Sequence, residues 1–372
     1  MFSKETCIQV MKSRDRRYDG RFFIGVHSTG IYCRPICPAP TPKEKNIQFY
    51  PSAAAAADDG LRPCLRCRPE IAPGNDWMEA PILIKNALSL ISTRFPEPIS
   101  SEEIADHLNI SSRHLRRLFQ QYLGTTPLSI WTTKKIHFAK HLIDGTDLPM
   151  TEIAFASGFN SVRSFNNSIK KTYNRTPGEL RKVRKGKKVE NAIALNLSYR
   201  QPFNWTALLD FLSLRAIPGV ELVSDNAYER IIPVDDSSGM IRVTNEQATT
   251  RKAHLRVKIA FNDPNKLYQI GERVKQLFDL EAPIQDIDAF LAKSPRLKKS
   301  VKEHAGMRVP GCWDSFELCI RAILGQQISV KAATTLAGRI VEKYGHKYNG
   351  PFLGYDEENW YVFPPADVLK DA

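Results

Sequence analysis

The sequence has 372 residues, of which 42% are hydrophobic and 25% are charged, as is ordinary for folded globular protein. This length suggests about two to four domains. The N-terminus contains no apolar signal segment, and no run of about 18 apolar residues occurs, so the sequence predicts neither secretion nor a membrane partner. Because the number of cysteines is odd, at seven, and no signal is seen, we expect a reducing, cytoplasmic location.

Positive charge is concentrated in the first half of the chain. The net charge of the whole sequence is +13. Residues 1–190 hold 30 Lys and Arg against 18 Asp and Glu, whereas residues 191–372 hold 23 against 22. This asymmetry favours a polyanionic partner, with nucleic acid first, over a basic surface that serves only solubility.

Residues 1–76 are expected to form a small α/β domain. A helix is predicted within residues 1–18, and short strands are predicted within residues 21–50, where apolar and polar residues alternate around turns. Ser52 precedes five alanines and is the expected N-cap of a second helix. A domain of this size buries little core, so we expect its stability to depend on a bound metal.

This domain contains four cysteines, which are arranged as two pairs. Cys33 and Cys37 form a C-x3-C pair, and Cys64 and Cys67 form a C-x2-C pair that follows after 26 intervening residues. Two thiolate pairs close a tetrahedral site of the kind that Zn²⁺ favours; two disulfides in a secreted domain are the alternative. Four thiolates leave no open position for water, so spacing alone favours a structural zinc site.

The residues around the cysteines resemble those of a known family. The segments FFIGVHSTGIYCRPICPAP, NIQFY and GLRPCLRCRPE are similar to the zinc domain of the Ada-type methylphosphotriester repair proteins, over about residues 19–73. The resemblance implies that Cys33 is both a ligand and the nucleophile that irreversibly accepts a methyl group from a methylated DNA phosphate. It also implies DNA contacts by Thr29, Arg62 and Arg66. Pro40 replaces an arginine of the family, which removes one expected phosphate contact.

Residues 77–184 are expected to form an all-α domain with two helix-turn-helix units. In the first unit, Ser101 and Ser111 are the predicted N-caps of two short helices joined by a tight turn. In the second unit, Thr151 is the predicted cap, and a longer helix over about residues 127–142 joins the units. Each unit has apolar residues at helical spacing on one face and polar or basic residues on the other.

Two segments of this domain resemble the AraC-type DNA-binding domain. They are the turn AFASGF at 154–159 and the ending YNRTPGEL at 173–180, and the similarity covers about residues 81–184. The resemblance implies two recognition helices in successive major grooves of double-stranded DNA. The DNA-contacting candidates that it implies are Arg113, Arg116, Arg117, Ser161, Arg163 and Asn167. For each of them, a phosphate contact or a solvated side chain is the alternative to a base contact.

The second half of the chain is predicted to have a different organisation. A basic linker over residues 185–190 precedes an α+β domain over residues 191–283, in which a hairpin is expected to turn at residues 236–239. Residues 284–372 are mainly helical in pattern.

The stretch from Leu195 to Gly345 resembles the AlkA-type 3-methyladenine DNA glycosylases. The similarity is clearest in PFNW at 202–205, FLSLR at 211–215 and RAILGQQIS at 321–329. It implies a TATA-binding-protein-like α+β domain followed by a helix-hairpin-helix domain.

The same resemblance assigns roles to three residues. Gln326 and Gln327 correspond to a loop that wedges into DNA where a damaged base is flipped out. Phe211 corresponds to an aromatic residue of the base pocket, with core packing as the alternative. The Gly-x-Gly hairpin and the catalytic aspartate of the family do not follow Gln326 in this sequence, so we expect an incomplete glycosylase domain and no base excision.

These observations predict a multidomain α+β protein. Its expected parts are a small zinc-bound α/β domain, an all-α double helix-turn-helix domain, a TATA-binding-protein-like α+β domain and an incomplete helix-hairpin-helix domain. The expected function is repair of alkylated DNA coupled to activation of transcription, with Zn²⁺ as cofactor and with DNA and RNA polymerase as partners on the nucleoid. The alternatives are a zinc-stabilised AraC-type transcription factor, and a glycosylase that keeps only its lesion-recognition half.

Overall fold

The computed structural model describes residues 2–74, 80–182, 193–224, 226–246, 253–351, 353 and 359–370. The chain divides into two compact units, the first comprising residues 1–187 with Leu267–Gln269 and the second the remainder. The predicted linker at residues 185–190 lies outside the described residues. Within the described ranges, no helix is long and apolar enough to cross a membrane.

The first unit begins with a small four-stranded sheet. Its strands, given with their bounds, are β1 Phe23–Val26, β2 Ile31–Cys33, β3 Ile47–Tyr50 and β4 Arg62–Pro63. The sheet order is β3-β1-β2-β4, and only the pairing of β2 with β4 is parallel. Helices α1 (Lys4–Ser13) and α2 (Ala53–Asp58) accompany the sheet. Ser52 caps α2 as predicted, because its hydroxyl accepts the N–H of Ala55 at 3.0 Å.

In the described residues of the first unit, the sheet is followed by the helices α3 Ile82–Arg94, α4 Ser101–His107, α5 Ser112–Leu123, α6 Pro127–Gly145, α7 Met150–Ala156, α8 Val162–Tyr173 and α9 Pro177–Lys182. Helices α4 and α5 form one helix-turn-helix, α7 and α8 form the other, and α6 joins them, which confirms the predicted architecture. Gly158 has a φ of +80°, and a Cβ there would lie 2.6 Å from the carbonyl oxygen of Pro96. Only glycine therefore fits this turn.

Two predicted helix caps are wrong by one or two positions. Helix α4 is capped by Ser100, whose hydroxyl accepts the N–H of Glu103 while the Glu103 carboxylate accepts the N–H of Ser100. This reciprocal capping box needs a glutamate three residues after the cap, which Ser101 does not have. Helix α7 starts after Pro149, where the missing N–H costs nothing, so Thr151 lies inside the first turn.

The second unit contains a five-stranded antiparallel sheet of order β5-β9-β8-β7-β6. Its strands are β5 Ile193–Ser198, β6 Glu221–Ser224, β7 Ala227–Val234, β8 Ser237–Asn245 and β9 His254–Ala260. The hairpin of β7 and β8 turns at Asp235 and Asp236 rather than at residues 236–239, because Asp235 adopts the left-handed conformation with φ of +50°.

Helices make up most of the rest of this half: α10 Trp205–Ser213, α11 Leu267–Leu277, α12 Ile284–Leu291, α13 Lys298–Glu303, α14 Ser315–Leu324, α15 Val330–Tyr344 and α16 Ala366–Leu369. A short pairing of β10 (His346–Lys347) with β11 (Tyr361–Val362) follows α15. The α+β region followed by a mainly helical region agrees with the predicted fold class.

A buried charge network ties helix α14 to the sheet of the second unit. The Arg230 guanidinium, on β7, donates to the Glu317 carboxylate, on α14, at 2.7 Å, and both side chains are at most 4% exposed. Arg321 donates from the same helix to Glu221, at the start of β6, at 3.1 Å. The Tyr228 hydroxyl donates to Glu221 at 2.5 Å. The two carboxylates balance the two guanidinium groups, so the cost of removing the charges from water is offset by pairing.

Replacing Glu317→Leu should lower the free energy of unfolding of the second unit by about 3–5 kcal/mol, because it leaves the Arg230 charge buried with one partner fewer. Urea denaturation followed by hydrogen exchange in residues 193–224 and 315–344 measures this. The control is Asp235→Asn, which removes a pair with Lys266 at the surface and should cost less than about 1 kcal/mol. Equal effects of the two substitutions would contradict the assignment.

Candidate metal centre and nucleic-acid interface

The sheet of the first unit brings the two cysteine pairs together. Tyr32 of β2 is in parallel register with Pro63 of β4, and a cysteine follows each of them. The two strand ends therefore present Cys33 and Cys64 side by side. A tight turn after each strand then returns the second cysteine of the pair, and the Sγ atoms of Cys33, Cys37, Cys64 and Cys67 all lie within 4.8 Å of one another.

This arrangement fits a zinc ion. A tetrahedral Zn²⁺ with Zn–S bonds of about 2.3 Å needs sulfurs about 3.8 Å apart, which the cluster can supply with small adjustments. All seven cysteines are free thiols, in disagreement with the disulfide alternative. Without a metal ion, the hydrogen bond between the Cys33 and Cys37 side chains raises the pKa of the Cys33 thiol. A bound divalent cation would favour the thiolate form instead.

The four cysteines are not equivalent. Cys64 and Cys67 are buried, at 8% and 7% exposure, whereas Cys33 and Cys37 are half-buried. The Cys67 sulfur also accepts the backbone N–H of Arg34 at 3.3 Å. A hydrogen bond to a thiolate stabilises its charge and makes it a poorer nucleophile. Exposure therefore favours the first pair, Cys33 and Cys37, as the cysteines that an external electrophile reaches.

Arg34, beside Cys33, is a structural element that the sequence analysis missed. Its guanidinium pairs with Asp19 through both carboxylate oxygens, with an Nε to Oδ1 distance of 2.8 Å, and both side chains are under 10% exposed. It also donates to the carbonyl oxygen of Cys67 at 3.1 Å. Arg34 thus holds the loop that contains Cys33 against the loop that contains Cys67. The sequence signal was weak, because isolated charged residues usually lie at the surface.

Three predicted DNA contacts lie close to the cysteines in sequence, at exposed or half-buried positions. Thr29 is exposed in the turn between β1 and β2, and its hydroxyl donates to the carbonyl of Val26 at 3.1 Å. Arg66 is exposed between Cys64 and Cys67, and Arg62 is half-buried on β4. These placements are compatible with phosphate contacts, and the contacts themselves stay predictions.

The helix-turn-helix candidates lie on exposed faces. Arg113, Arg116 and Arg117 are exposed on α5, and Arg163 and Asn167 are exposed one turn apart on α8. Arg116 already pairs with Glu102 of α4 at 2.6 Å. Ser161 is the N-cap of α8, and its hydroxyl accepts the N–H of Ser164 at 3.1 Å, so a structural role accounts for this residue. Base contacts by these residues stay predictions.

In the second unit, Phe211 lies at a cavity rather than in the core. Its side chain is 41% exposed, and the Arg215 guanidinium lies 3.7 Å above its ring. The cavity has a volume of about 360 Å³ and is also lined by Trp313. Gln326 and Gln327 are exposed after α14, and Gln327 adopts a φ of +60°. Core packing is therefore not the role of Phe211, while its part in base binding stays a prediction.

Three family models match successive parts of the chain. Residues 6–70 match the metal binding domain of Ada, residues 104–183 match a helix-turn-helix domain, and residues 194–314 match the AlkA N-terminal domain.

Curated relatives cover the whole chain and each of its halves. The probable bifunctional transcriptional activator/DNA repair enzyme AlkA of Mycobacterium tuberculosis is 35% identical over 99% of this chain and 73% of its own length. The bifunctional transcriptional activator/DNA repair enzyme AdaA of Bacillus subtilis is 29% identical over 49% of this chain and 85% of its own. DNA-3-methyladenine glycosylase 2 of Escherichia coli is 30% identical over 47% of this chain and 57% of its own.

The fold and the site define a zinc-binding regulator that combines an Ada-type metal domain with an AraC-type helix-turn-helix domain. Because the similarity to the mycobacterial protein extends over 99% of this chain, the chain belongs to the family of bifunctional transcriptional activators and DNA repair enzymes of the Ada/AlkA type.

Replacing Cys64→Ser should remove zinc binding and unfold residues 1–74, because three ligands hold the metal less tightly and this small sheet has little core of its own. Native mass spectrometry should find one Zn²⁺ per wild-type chain and none in the variant. The matched control is Cys312→Ser, outside the cluster, which should keep the full zinc content. Retention of zinc by the Cys64 variant would exclude this residue as a ligand.

Proposed function

We propose that this protein is a sensor of DNA alkylation that repairs methylphosphotriesters at Cys33 and, once methylated, activates transcription. The observation that carries the proposal is the four-sulfur cluster, in which the residues of one pair are half-buried and those of the other are buried. The similarity to the metal binding domain of Ada supports Cys33 as the reacting sulfur of the half-buried pair. The basic first half of the chain suits a DNA substrate.

The proposed reaction is an in-line displacement at the methyl carbon. A lone pair of the Cys33 sulfur forms the new S–C bond while the C–O bond of the phosphotriester breaks. The phosphate oxygen keeps the bonding electrons, so the products are a phosphodiester anion and an S-methyl thioether, with no proton transferred. Bound Zn²⁺ would supply a thiolate that is deprotonated at neutral pH and still nucleophilic. The thioether is stable, so each chain reacts once.

A change of charge links repair to DNA binding in this proposal. Methylation removes one negative charge from the four-thiolate cluster. Repulsion between the cluster and the DNA backbone weakens, so the affinity for DNA should rise, and the rise should shrink as salt is added. Residues 80–182 would then read the promoter through α5 and α8, and activation would involve RNA polymerase on the nucleoid.

Incubation with DNA that carries methylphosphotriesters should add a mass of about 14 Da to the protein, located on Cys33 by peptide mapping. A zinc-stabilised transcription factor with a purely structural site would gain no mass. Methyl found on Cys37 would show that the other cysteine of the half-buried pair reacts. Unmethylated DNA of the same sequence is the control.

The cavity beside Phe211 and the AlkA-type similarity make base excision the second candidate function. The sequence predicts that residues 191–372 do not excise bases, since no Gly-x-Gly turn follows Gln326 in them. Incubation with DNA containing 3-methyladenine should therefore release no free base above the buffer control. Repeated release by catalytic amounts of protein would contradict this expectation, and Phe211→Ala would then test whether the cavity holds the base.

A further inference from the structure

A group of four charges, in which Glu70 and Lys140 are buried while Arg68 and Asp144 are 29% and 17% exposed, lies between the metal domain and helix α6 within the first unit. Arg68 follows the ligand Cys67, and its guanidinium contacts the Glu70 carboxylate at 3.0 Å and the Asp144 carboxylate at 2.7 Å. The Lys140 ammonium contacts Asp144 at 2.5 Å and Glu70 at 3.7 Å. Lys140 and Asp144 lie one turn apart on α6, so the turn that carries Cys67 is held directly against this helix.

The burial of this group makes it sensitive to the loss of any member. The side chains of Glu70 and Lys140 are 1% and 6% exposed. The neighbouring cations hold the pKa of Glu70 below its usual range against the opposing effect of its burial. Two carboxylates face two cations, so the group is neutral as a whole. Removal of one member leaves an uncompensated charge away from water.

A second contact reaches α6 from the residue before Cys33. The Tyr32 side chain is 1% exposed, and its hydroxyl lies 2.9 Å from Nε2 of His137. Burial lowers the pKa of His137 to about 4, so the imidazole is neutral at physiological pH and can accept this hydroxyl proton. Both ligand turns, the one starting at Cys33 and the one ending at Cys67, are therefore attached to α6.

Helix α6 in turn contacts the second recognition helix. The Lys140 ammonium lies 5.8 Å from the ring centre of Tyr173, the last residue of α8, and Tyr173 is 2% exposed. Ser52, which caps α2, also donates to the carbonyl oxygen of Leu123, the last residue of α5, at 2.8 Å. Contacts thus run from the metal domain to the C-terminal ends of both recognition helices.

We propose that Tyr32, Glu70 and their partners on α6 are positioning residues that fix the methyl-acceptor site at one distance and angle from the two recognition helices. This inference rests on the proposed function. A flexible connection would let the metal domain and the helix-turn-helix domain search DNA separately, and bringing both onto one duplex would then cost conformational entropy. A fixed connection removes that cost. The whole gain in DNA affinity on methylation then adds to the affinity for DNA that carries the recognised sequence.

The connection has a measurable consequence along the DNA. A rigid pair of sites can react with a phosphotriester only at the one distance and helical phase at which the duplex presents that phosphate to Cys33. With the helix-turn-helix domain on its recognised sequence, the rate of methyl transfer should have one narrow maximum and should be low both half a turn and a full turn, about 10 base pairs, away from it. A flexible pair would show a nearly flat dependence on distance.

The experiment uses the full chain and a duplex whose recognised sequence is first selected from random DNA by the methylated protein. A single methylphosphotriester is placed at stepwise distances from that sequence, and transfer to Cys33 is measured by mass. In the wild type, the rates at the best phase and half a turn away should differ by about tenfold or more. A flat profile would overturn the inference and leave the proposed function intact, whereas no transfer at any distance would overturn the proposed function itself.

Two variants test the named residues. The double substitution Glu70→Gln/Lys140→Gln keeps the charge balance, and Tyr32→Phe keeps the ring while removing the hydroxyl. Both should flatten the distance profile while they retain zinc and still transfer methyl from DNA that lacks the recognised sequence. The matched control is Glu44→Gln, which removes a carboxylate from an exposed pair with Lys12 and should leave the profile unchanged.

If the double variant misfolds, the Tyr32→Phe variant still tests the proposal. The zinc content and thermal unfolding of Tyr32→Phe are measured separately to establish that this variant is folded. If Tyr32→Phe and a zinc-loaded double variant both keep the narrow wild-type maximum, these residues do not position the site.

Discussion

The parallel pairing of β2 with β4 is the constraint on which the first unit depends. It joins two segments some 30 residues apart in sequence and leaves a cysteine at the end of each strand. A single register places all four sulfurs within reach of one ion, and a slip by one residue would turn the ligands to the other face. The metal then supplies the stability that so small a sheet lacks. The chemistry of the site and the folding of the domain thus depend on the same contact.

Buried charged residues hold neighbouring structural elements together in both units. Arg34 pairs with Asp19 and joins the ligand loops through the carbonyl oxygen of Cys67, and the group that includes Glu70 and Lys140 joins the metal domain to α6. In the second unit, Arg230 with Glu317 joins the sheet to α14. An apolar contact can slide at small cost, whereas a buried ion pair loses much of its energy when its geometry changes. Such pairs suit a protein in which a reactive sulfur must be held in place.

Local sequence signals predicted most of the elements correctly. Ser52 and Ser111 are the caps of their helices, and both helix-turn-helix units lie where the apolar periodicity indicated. The errors at Ser101 and Thr151 have a physical cause. Several neighbouring residues can cap a helix, and the choice depends on hydrogen bonds, such as the Ser100–Glu103 box, that form only once the turn is built.

The sequence by itself determined the candidate ligand set and the class of metal, because thiolate chemistry and cysteine spacing are local properties. It indicated the family through the resemblance of whole segments to known proteins. Only the tertiary structure decided that the cysteines differ in exposure, that Arg34 and Glu70 are buried rather than solvated, and that Tyr32 reaches His137 from 105 positions away. Burial and long-range charge pairing depend on which distant segments meet. A pattern within a single segment cannot show this, because a charged residue has the same identity in the sequence whether it is buried or exposed.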